Sequence, residues 1–184
     1  KTEAAFKLLG LENFSDHISQ FHITDFFEKY ETGHISDDEF VSGISQLIGK
    51  PVESEEIIKA WNALLLDFPP ERIELLKRIK SRYRTFLLSN TNSIHLKEFQ
   101  EMLHNTSGVY LEDLFEKTYY SHAVKLRKPL APIFELVLNE NGLLASETLF
   151  IDDTASNFEE AKKMGIQIHH LAPGTSITEM DLFI

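Results

Sequence analysis

The first third of the chain carries apolar residues at helical spacing. Phe6 and Leu9 lie three residues apart ahead of Gly10, a typical helix stop. A second apolar stripe ends near Gly33 and consists of Ile18, Phe21, Ile23, Phe26, Phe27 and Tyr30. Both segments are therefore predicted to be amphipathic helices that bury one apolar face.

Two further helices are predicted before the proline pair at residues 69 and 70. Ser36 and Glu39 match a capping box ahead of an apolar stripe that stops at Gly49. Ser54 is predicted to cap the next helix, whose inward residues are Ile57, Ile58, Trp61, Leu64 and Leu65. Four short helices joined by short loops predict a small helical bundle over residues 1–68.

Beyond residue 69, short apolar runs alternate with helical stripes. The runs are typical of buried strands and cover residues 85–88, 118–121, 149–151 and 166–171. The helices between them are predicted over residues 71–83, 93–103, 111–115 and 130–139, with a last one that ends at Gly165. This alternation predicts an α/β fold with a doubly wound parallel sheet over residues 69–184.

Composition and charge exclude several classes of function. The 184 residues are 42% hydrophobic and 26% charged, which is ordinary for a globular protein. The net charge of −11 argues against nucleic acid or a membrane surface as the main partner, although lysines and a metal ion can still attract an anionic substrate locally. The chain has no cysteine, no signal peptide is visible in it, and no apolar run is near the ~20 residues of a membrane span. A cytoplasmic protein is expected.

Three polar sites follow predicted strands. Ser89 and Asn90 come after the first strand, Lys128 follows the second after a loop, and Asp152 with Asp153 follows the third. Because parallel strands end on one edge of a sheet, these groups are expected to converge there.

Such a set can hold a phosphoryl group and stabilise its charge during transfer, since two carboxylates suit Mg²⁺ and an ammonium suits phosphate. Each site also has a simpler interpretation: an Asp that caps a helix, a polar turn, and a solvated surface lysine. The placement of all three on one edge favours a functional site.

The motifs resemble those of the haloacid dehalogenase superfamily of phosphohydrolases. Residues Phe86 to Asn92 (Phe-Leu-Leu-Ser-Asn-Thr-Asn) resemble its second motif, and Arg127 to Pro129 its third. Residues Phe150 to Asn157 (Phe-Ile-Asp-Asp-Thr-Ala-Ser-Asn) resemble its fourth. The chain is most similar to the subgroup of bacterial α-D-glucose-1-phosphate phosphatase, which also resembles the phosphatase domain of soluble epoxide hydrolase.

This resemblance implies a Rossmann-like core over residues 69–184 and an inserted four-helix cap over residues 1–68. It also implies a Mg²⁺-dependent phosphatase for a small phosphorylated metabolite, a sugar phosphate being favoured. Ser89, Asn90 and Lys128 would bind the phosphoryl group, and Asp152 and Asp153 would bind the metal. The catalytic set implied for this chain is Ser89, Lys128, Asp152 and Asp153.

The family's first motif has no counterpart in this sequence. That motif is an N-terminal strand ending in the nucleophilic Asp, whereas residues 2–9 already resemble the first cap helix. We therefore expect a further segment upstream of Lys1 to supply the nucleophile and the first core strand. Without it, the chain would be no phosphatase.

Other interpretations remain open at this point. A dehalogenase or a phosphomutase could use the same scaffold, and a non-catalytic binding protein could keep the pocket without the nucleophile. Haloacid dehalogenases typically lack the acid pair, so Asp152 and Asp153 favour the phosphatase. The eight histidines are expected to be structural or on the surface; His95 is the one expected near the site, and His169 and His170 should point to opposite faces of the last strand. The oligomeric state cannot be read from the sequence.

Overall fold

A computed structural model describes residues 1–12, 14 and 23–180 of the chain. The chain divides into two compact units. The first contains residues 1–68, 91–111 and 120–125, and the second contains residues 69–90, 112–119 and 126–184. A unit boundary thus falls at residue 68, where the cap was predicted to end, although the first unit also takes in two later segments. The division into cap and core stays a prediction.

The described helices and strands, numbered in chain order, have the following bounds. The helices are α1 (Thr2–Leu8), α2 (Ile23–Glu31), α3 (Asp37–Ile48), α4 (Ser54–Asn62), α5 (Pro70–Lys80), α6 (Ser93–Ser107), α7 (Leu111–Leu114), α8 (Ser121–Val124), α9 (Ala131–Asn141) and α10 (Phe158–Lys163). The strands are β1 (Phe86–Ser89), β2 (Lys117–Tyr120), β3 (Leu149–Asp152) and β4 (Gln167–His170), and short 3₁₀ turns lie at Ala145–Glu147, Ala155–Asn157 and Ile177–Glu179.

The first unit is helical and is built around an aromatic core. The Tyr30 and Phe40 rings stack with their centroids 4.0 Å apart, and Trp61 lies 4.9 Å from Phe40. The buried cluster consists of Phe6, Leu11, Phe14, Tyr30, Phe40, Val41, Ile44, Ile48, Ile57, Ala60 and Ile94. The predicted apolar faces of α1, α3 and α4 are therefore core faces, whereas Ile18 and Phe21 lie outside the described residues.

Helix ends in the first unit follow local capping chemistry. The capping box is confirmed, because the Ser36 hydroxyl accepts from the Glu39 N–H while the Glu39 carboxylate accepts from the Ser36 N–H. The prediction that Ser54 caps α4 is wrong: Ser54 is already helical, and the capping position is Glu53, whose backbone is extended. Leu64 was predicted to point inward but is 44% exposed, because α4 ends at Asn62 and helical spacing no longer applies.

The second unit alternates helices with short strands, as an α/β fold does. Its described strands form two two-stranded sheets, β1 with β2 and β3 with β4. Strands β3 and β4 are parallel, and Asp152 lies opposite His170 in their register. The four predicted strands are found to within one residue at each end. Among the differences, β1 includes Ser89, β3 includes Asp152, and β2 ends at Tyr120 because Ser121 begins α8. A single doubly wound sheet stays a prediction.

Within the described residues, no helix is both long enough and apolar enough to cross a membrane.

Candidate active site

A buried ion pair joins Lys128 and Asp152 in the second unit. The Lys128 Nζ donates to Asp152 Oδ2 at 2.6 Å, and the two side chains are only 10% and 6% exposed. Asp152 is the last residue of β3, and Lys128 lies in the loop ahead of α9. A buried charge must be paired to be tolerated, so each side chain fixes the position of the other.

The Lys128 ammonium has N–H donors that no described residue accepts. It lies 5.5 Å from the centre of the Phe150 ring, which shields one side. An ammonium has three N–H donors, and within the described part of the chain Asp152 is its only hydrogen-bond acceptor. Two N–H groups of a nearly buried cation are thus left to bind an anionic group.

Three protein groups donate to the Asp152 carboxylate. Its Oδ1 accepts from the Thr154 N–H at 2.7 Å and from Asn157 Nδ2 at 3.1 Å, while Oδ2 accepts from Lys128 and, at 3.1 Å, from the same Asn157 nitrogen. A carboxylate has about four lone-pair positions. Burial by itself raises the pKa of Asp152, but the hydrogen bonds from Lys128, Thr154 and Asn157 outweigh it, and the pKa lies below the ordinary range. Asp152 is therefore a fixed anion.

Asp153 is the open member of the acid pair. Its side chain is exposed, and its Oδ1 accepts from the Thr154 hydroxyl at 3.1 Å. Its backbone carbonyl accepts from His170 Nε2 at 3.1 Å. No described residue donates to its Oδ2. The two acids thus differ in availability, one locked by protein donors and the other free to bind a ligand.

Asn90 connects the predicted second and third motifs. Its Oδ1 accepts from the Lys128 backbone N–H and its Nδ2 donates to the Lys128 carbonyl, both at 2.9 Å. The side-chain amide therefore fixes the main chain of Lys128, which is followed by a cis peptide bond to Pro129. Ser89, at the end of β1, is half-buried, and its hydroxyl bonds to no described residue. The phosphate-binding roles of Ser89 and Asn90 stay predictions.

The chemistry of the acid pair fits Mg²⁺. Mg²⁺ prefers oxygen ligands and is usually held by one or two carboxylates, with water and substrate phosphate completing its shell. Asp152 and Asp153 supply such carboxylates at the end of one strand. Among the residues that the structure describes, no group of three or more His, Asp or Glu could hold a metal. Two such carboxylates suit an open Mg²⁺ site whose other positions are filled by water and substrate.

His95 is explained by packing in the first unit. Its Nε2 donates to the Trp61 carbonyl at 3.2 Å, its Nδ1 lies 3.0 Å from Asn92 Nδ2, and its ring stacks on Trp61. These bonds fit a neutral imidazole, and burial lowers the pKa of His95. Its expected place near the site stays a prediction.

Comparison with known proteins identifies the family. A family model described as haloacid dehalogenase-like hydrolase matches residues 22–170. The chain belongs to this family. The D-ribitol-5-phosphate phosphatase of Bacteroides thetaiotaomicron is 29% identical to this haloacid dehalogenase-like hydrolase over 167 residues, covering 91% of this chain and 81% of that protein.

Solved structures support the same assignment. A haloacid dehalogenase family enzyme of B. thetaiotaomicron, in complex with magnesium and inorganic phosphate, is 35% identical with a TM-score of 0.88, over 96% of this chain and 87% of its own. L-2-haloacid dehalogenase of Xanthobacter autotrophicus is 17% identical with a TM-score of 0.56, over 93% and 72% respectively, and shares the fold alone. The chain is thus a haloacid dehalogenase-like hydrolase with phosphatase relatives, and its predicted subgroup stays a prediction.

Sequence reasoning missed three residues that organise the acid pair. Asn157 and Thr154 follow Asp152 in the same turn, so a search for amide and N–H donors around the acids could have found them. His170 comes from β4, and only the register between β3 and β4 shows that it lies opposite Asp152. No spacing rule in a single sequence reveals that contact.

Proposed function

We propose that the protein is a Mg²⁺-dependent phosphatase that hydrolyses a small phosphate monoester of the sugar-phosphate class. One observation carries the proposal: a nearly buried ammonium, Lys128, is anchored by Asp152 and has two N–H donors left, while the next residue, Asp153, has an open carboxylate. A cation held in place with spare donors suits a phosphoryl group, whose charge it offsets without rearranging. The phosphatase relatives support this chemistry and substrate class.

The protein groups divide the work of phosphate binding. Lys128 would bind the transferring phosphoryl oxygens through its remaining N–H groups. The Ser89 hydroxyl would donate to another of these oxygens, and Asn90 would contribute its backbone N–H while its side chain keeps Lys128 in place. This assignment explains why an Asn follows the Ser in the second motif.

The two acids would hold Mg²⁺ in different ways. Asp153 would bind the ion directly, because one of its oxygens accepts nothing from the described residues. Asp152 would bind it at most through water, because Lys128, Thr154 and Asn157 already donate to its two oxygens and leave no oxygen open for direct coordination. When bound, the ion would offset phosphate charge and orient the group for attack.

The nucleophile is proposed to be an aspartate of the family's first motif, placed upstream of Lys1. Its carboxylate oxygen would bond to phosphorus while the ester P–O bond breaks, and the leaving oxygen would take up a proton to give the alcohol. Water would then cleave the aspartyl-phosphate to inorganic phosphate and the free carboxylate. The same proposal includes the cap over residues 1–68 and the Rossmann-like core.

The test is a product assay on the whole natural protein. The protein is incubated with a panel of sugar and polyol phosphates with and without Mg²⁺, and inorganic phosphate, halide from 2-haloacids and isomerised sugar phosphates are measured. Release of phosphate that requires Mg²⁺ would support the proposal. Halide release or isomerisation would replace it by a dehalogenase or a mutase, and binding without turnover would leave a non-catalytic protein.

A further inference from the structure

The peptide group between Asp153 and Thr154 is held at both ends. Its carbonyl accepts from His170 Nε2 at 3.1 Å, and its N–H donates to Asp152 Oδ1 at 2.7 Å. Because a peptide group is planar, its C=O and N–H turn together. A contact that fixes the carbonyl therefore also aims the N–H at Asp152.

His170 is well placed to hold this peptide. It ends β4 and is the register partner of Asp152, and the next residue, Leu171, donates its N–H to the Asp152 carbonyl at 2.9 Å. The imidazole packs edge-on against Phe158, with ring centroids 5.6 Å apart, and Phe158 is 4% exposed. A carbonyl can only accept, so His170 Nε2 carries the hydrogen.

The orientation of this peptide bears on both carboxylates. The Thr154 N–H fills one position on Asp152, and the Thr154 hydroxyl donates to Asp153 Oδ1. If the peptide rotated, Asp152 would lose a donor and Thr154 would shift relative to the open carboxylate. Outer contacts of this kind commonly tune metal affinity.

We propose that His170 is a positioning residue that sets the geometry of the Asp152–Asp153 pair by fixing the peptide between Asp153 and Thr154. The inference rests on the proposed Mg²⁺-dependent phosphatase function. His170 neither touches substrate nor binds the ion; it acts through the main chain of Asp153.

The test compares His170→Phe, which keeps a ring against Phe158 but removes the donor, with His170→Gln, whose amide can return an N–H near Nε2. His169→Phe is the matched control, because adjacent strand residues point to opposite faces. In the whole natural protein, two quantities are measured: the Mg²⁺ concentration for half-maximal activity, and the rise in Tm that saturating Mg²⁺ produces.

We expect His170→Phe to raise the half-maximal Mg²⁺ concentration about three- to tenfold and to reduce the Mg²⁺-induced rise in Tm. His170→Gln should return within about twofold of the natural protein, and His169→Phe should match it. The Tm without Mg²⁺ should change little, because His170 is exposed.

The inference would be overturned if His170→Phe kept the natural Mg²⁺ response. It would also be overturned if His170→Gln and His169→Phe lost as much of that response as His170→Phe does. These outcomes differ from failure of the proposed function. In that case the natural protein itself would show no Mg²⁺-dependent release of phosphate, and the inference would fall with it.

Discussion

Replacing Lys128 by Met tests how much the buried ion pair between Lys128 and Asp152 stabilises the folded protein. The substitution keeps an unbranched apolar stem but removes the charge that faces Asp152 at 2.6 Å. Removing one partner of a buried ion pair costs about 3–5 kcal/mol. Asp152 would keep the Thr154 N–H and the Asn157 amide, so we expect a loss of about 2–4 kcal/mol in the free energy of unfolding at pH 7.

The loss should depend on pH in a defined direction. In the natural protein the pKa of Asp152 is lower in the folded state than in the unfolded chain, where it is about 3.9. The stabilisation by ionised Asp152 is therefore complete above about pH 3.9 and is lost only as the pH falls through the lower pKa of the folded state. In Lys128→Met, burial is opposed only by the Thr154 and Asn157 hydrogen bonds, so the pKa of Asp152 should rise. The carboxyl could then be protonated as the pH falls from 7 toward 4, and the stability gap should shrink.

Urea unfolding at pH 7, 6 and 5 measures this gap. Lys163→Met is the matched control, because Lys163 pairs with Glu159 and Glu160 on the surface with 58% of its side chain exposed. The difference in the free energy of unfolding between Lys163→Met and the natural protein should not vary with pH. Lys128→Met combined with Asp152→Asn should recover most of the loss, since no buried charge is left. A Lys128→Met protein within about 0.5 kcal/mol of the natural one at pH 7 would refute the reasoning.

Three further predictions concern the first unit. Both Gly33 and Gly49 have positive φ, but a Cβ at Gly33 would lie 2.0 Å from the His122 carbonyl oxygen, whereas Gly49 faces open space. Gly33→Ala should therefore lower the free energy of unfolding, measured with urea, by about 1–3 kcal/mol more than Gly49→Ala does. Equal losses would contradict this. Ser121→Ala should cost about 1–3 kcal/mol by the same measurement. The fully buried Ser121 hydroxyl accepts from the Thr91 N–H at 2.9 Å, and its removal would leave that N–H unpaired. An unchanged unfolding midpoint would count against this prediction. Burial lowers the pKa of His95 below 6.5, its value in the unfolded chain. The contribution of neutral His95 to the free energy of unfolding is therefore complete above about pH 6.5 and decreases as the pH falls below that value. His95→Gln should flatten that dependence between pH 6.5 and 5 without removing the similar contribution of His122, and an unchanged slope would exclude His95 as a source.

Local chemistry made part of this structure predictable from the sequence. The capping box of Ser36 and Glu39 involves residues three apart, and the site residues Ser89 and Asp152 follow short apolar runs. Such signals depend on neighbours in the chain, so a single sequence contains them. Helix ends without such a signal were harder, which is why Ser54 and Leu64 were misplaced.

The connections between motifs could not be predicted. That Asn90 binds the main chain of Lys128, or that His170 holds the Asp153 carbonyl, depends on how separate strands and loops meet. Spacing along the chain does not encode such contacts. The sequence predicted which residue types assemble, and the structure adds which acid is locked and which is open.

The most direct test of the whole account is a Mg²⁺ titration of phosphate release by the natural protein and by Asp153→Asn. Asp153 is exposed, and its side chain accepts a single hydrogen bond from the described residues, so the substitution should leave the fold and Tm almost unchanged. The account predicts Mg²⁺-dependent turnover in the natural protein and its loss in Asp153→Asn. Turnover that survives without Mg²⁺, or that Asp153→Asn retains with the natural Mg²⁺ response, would contradict it.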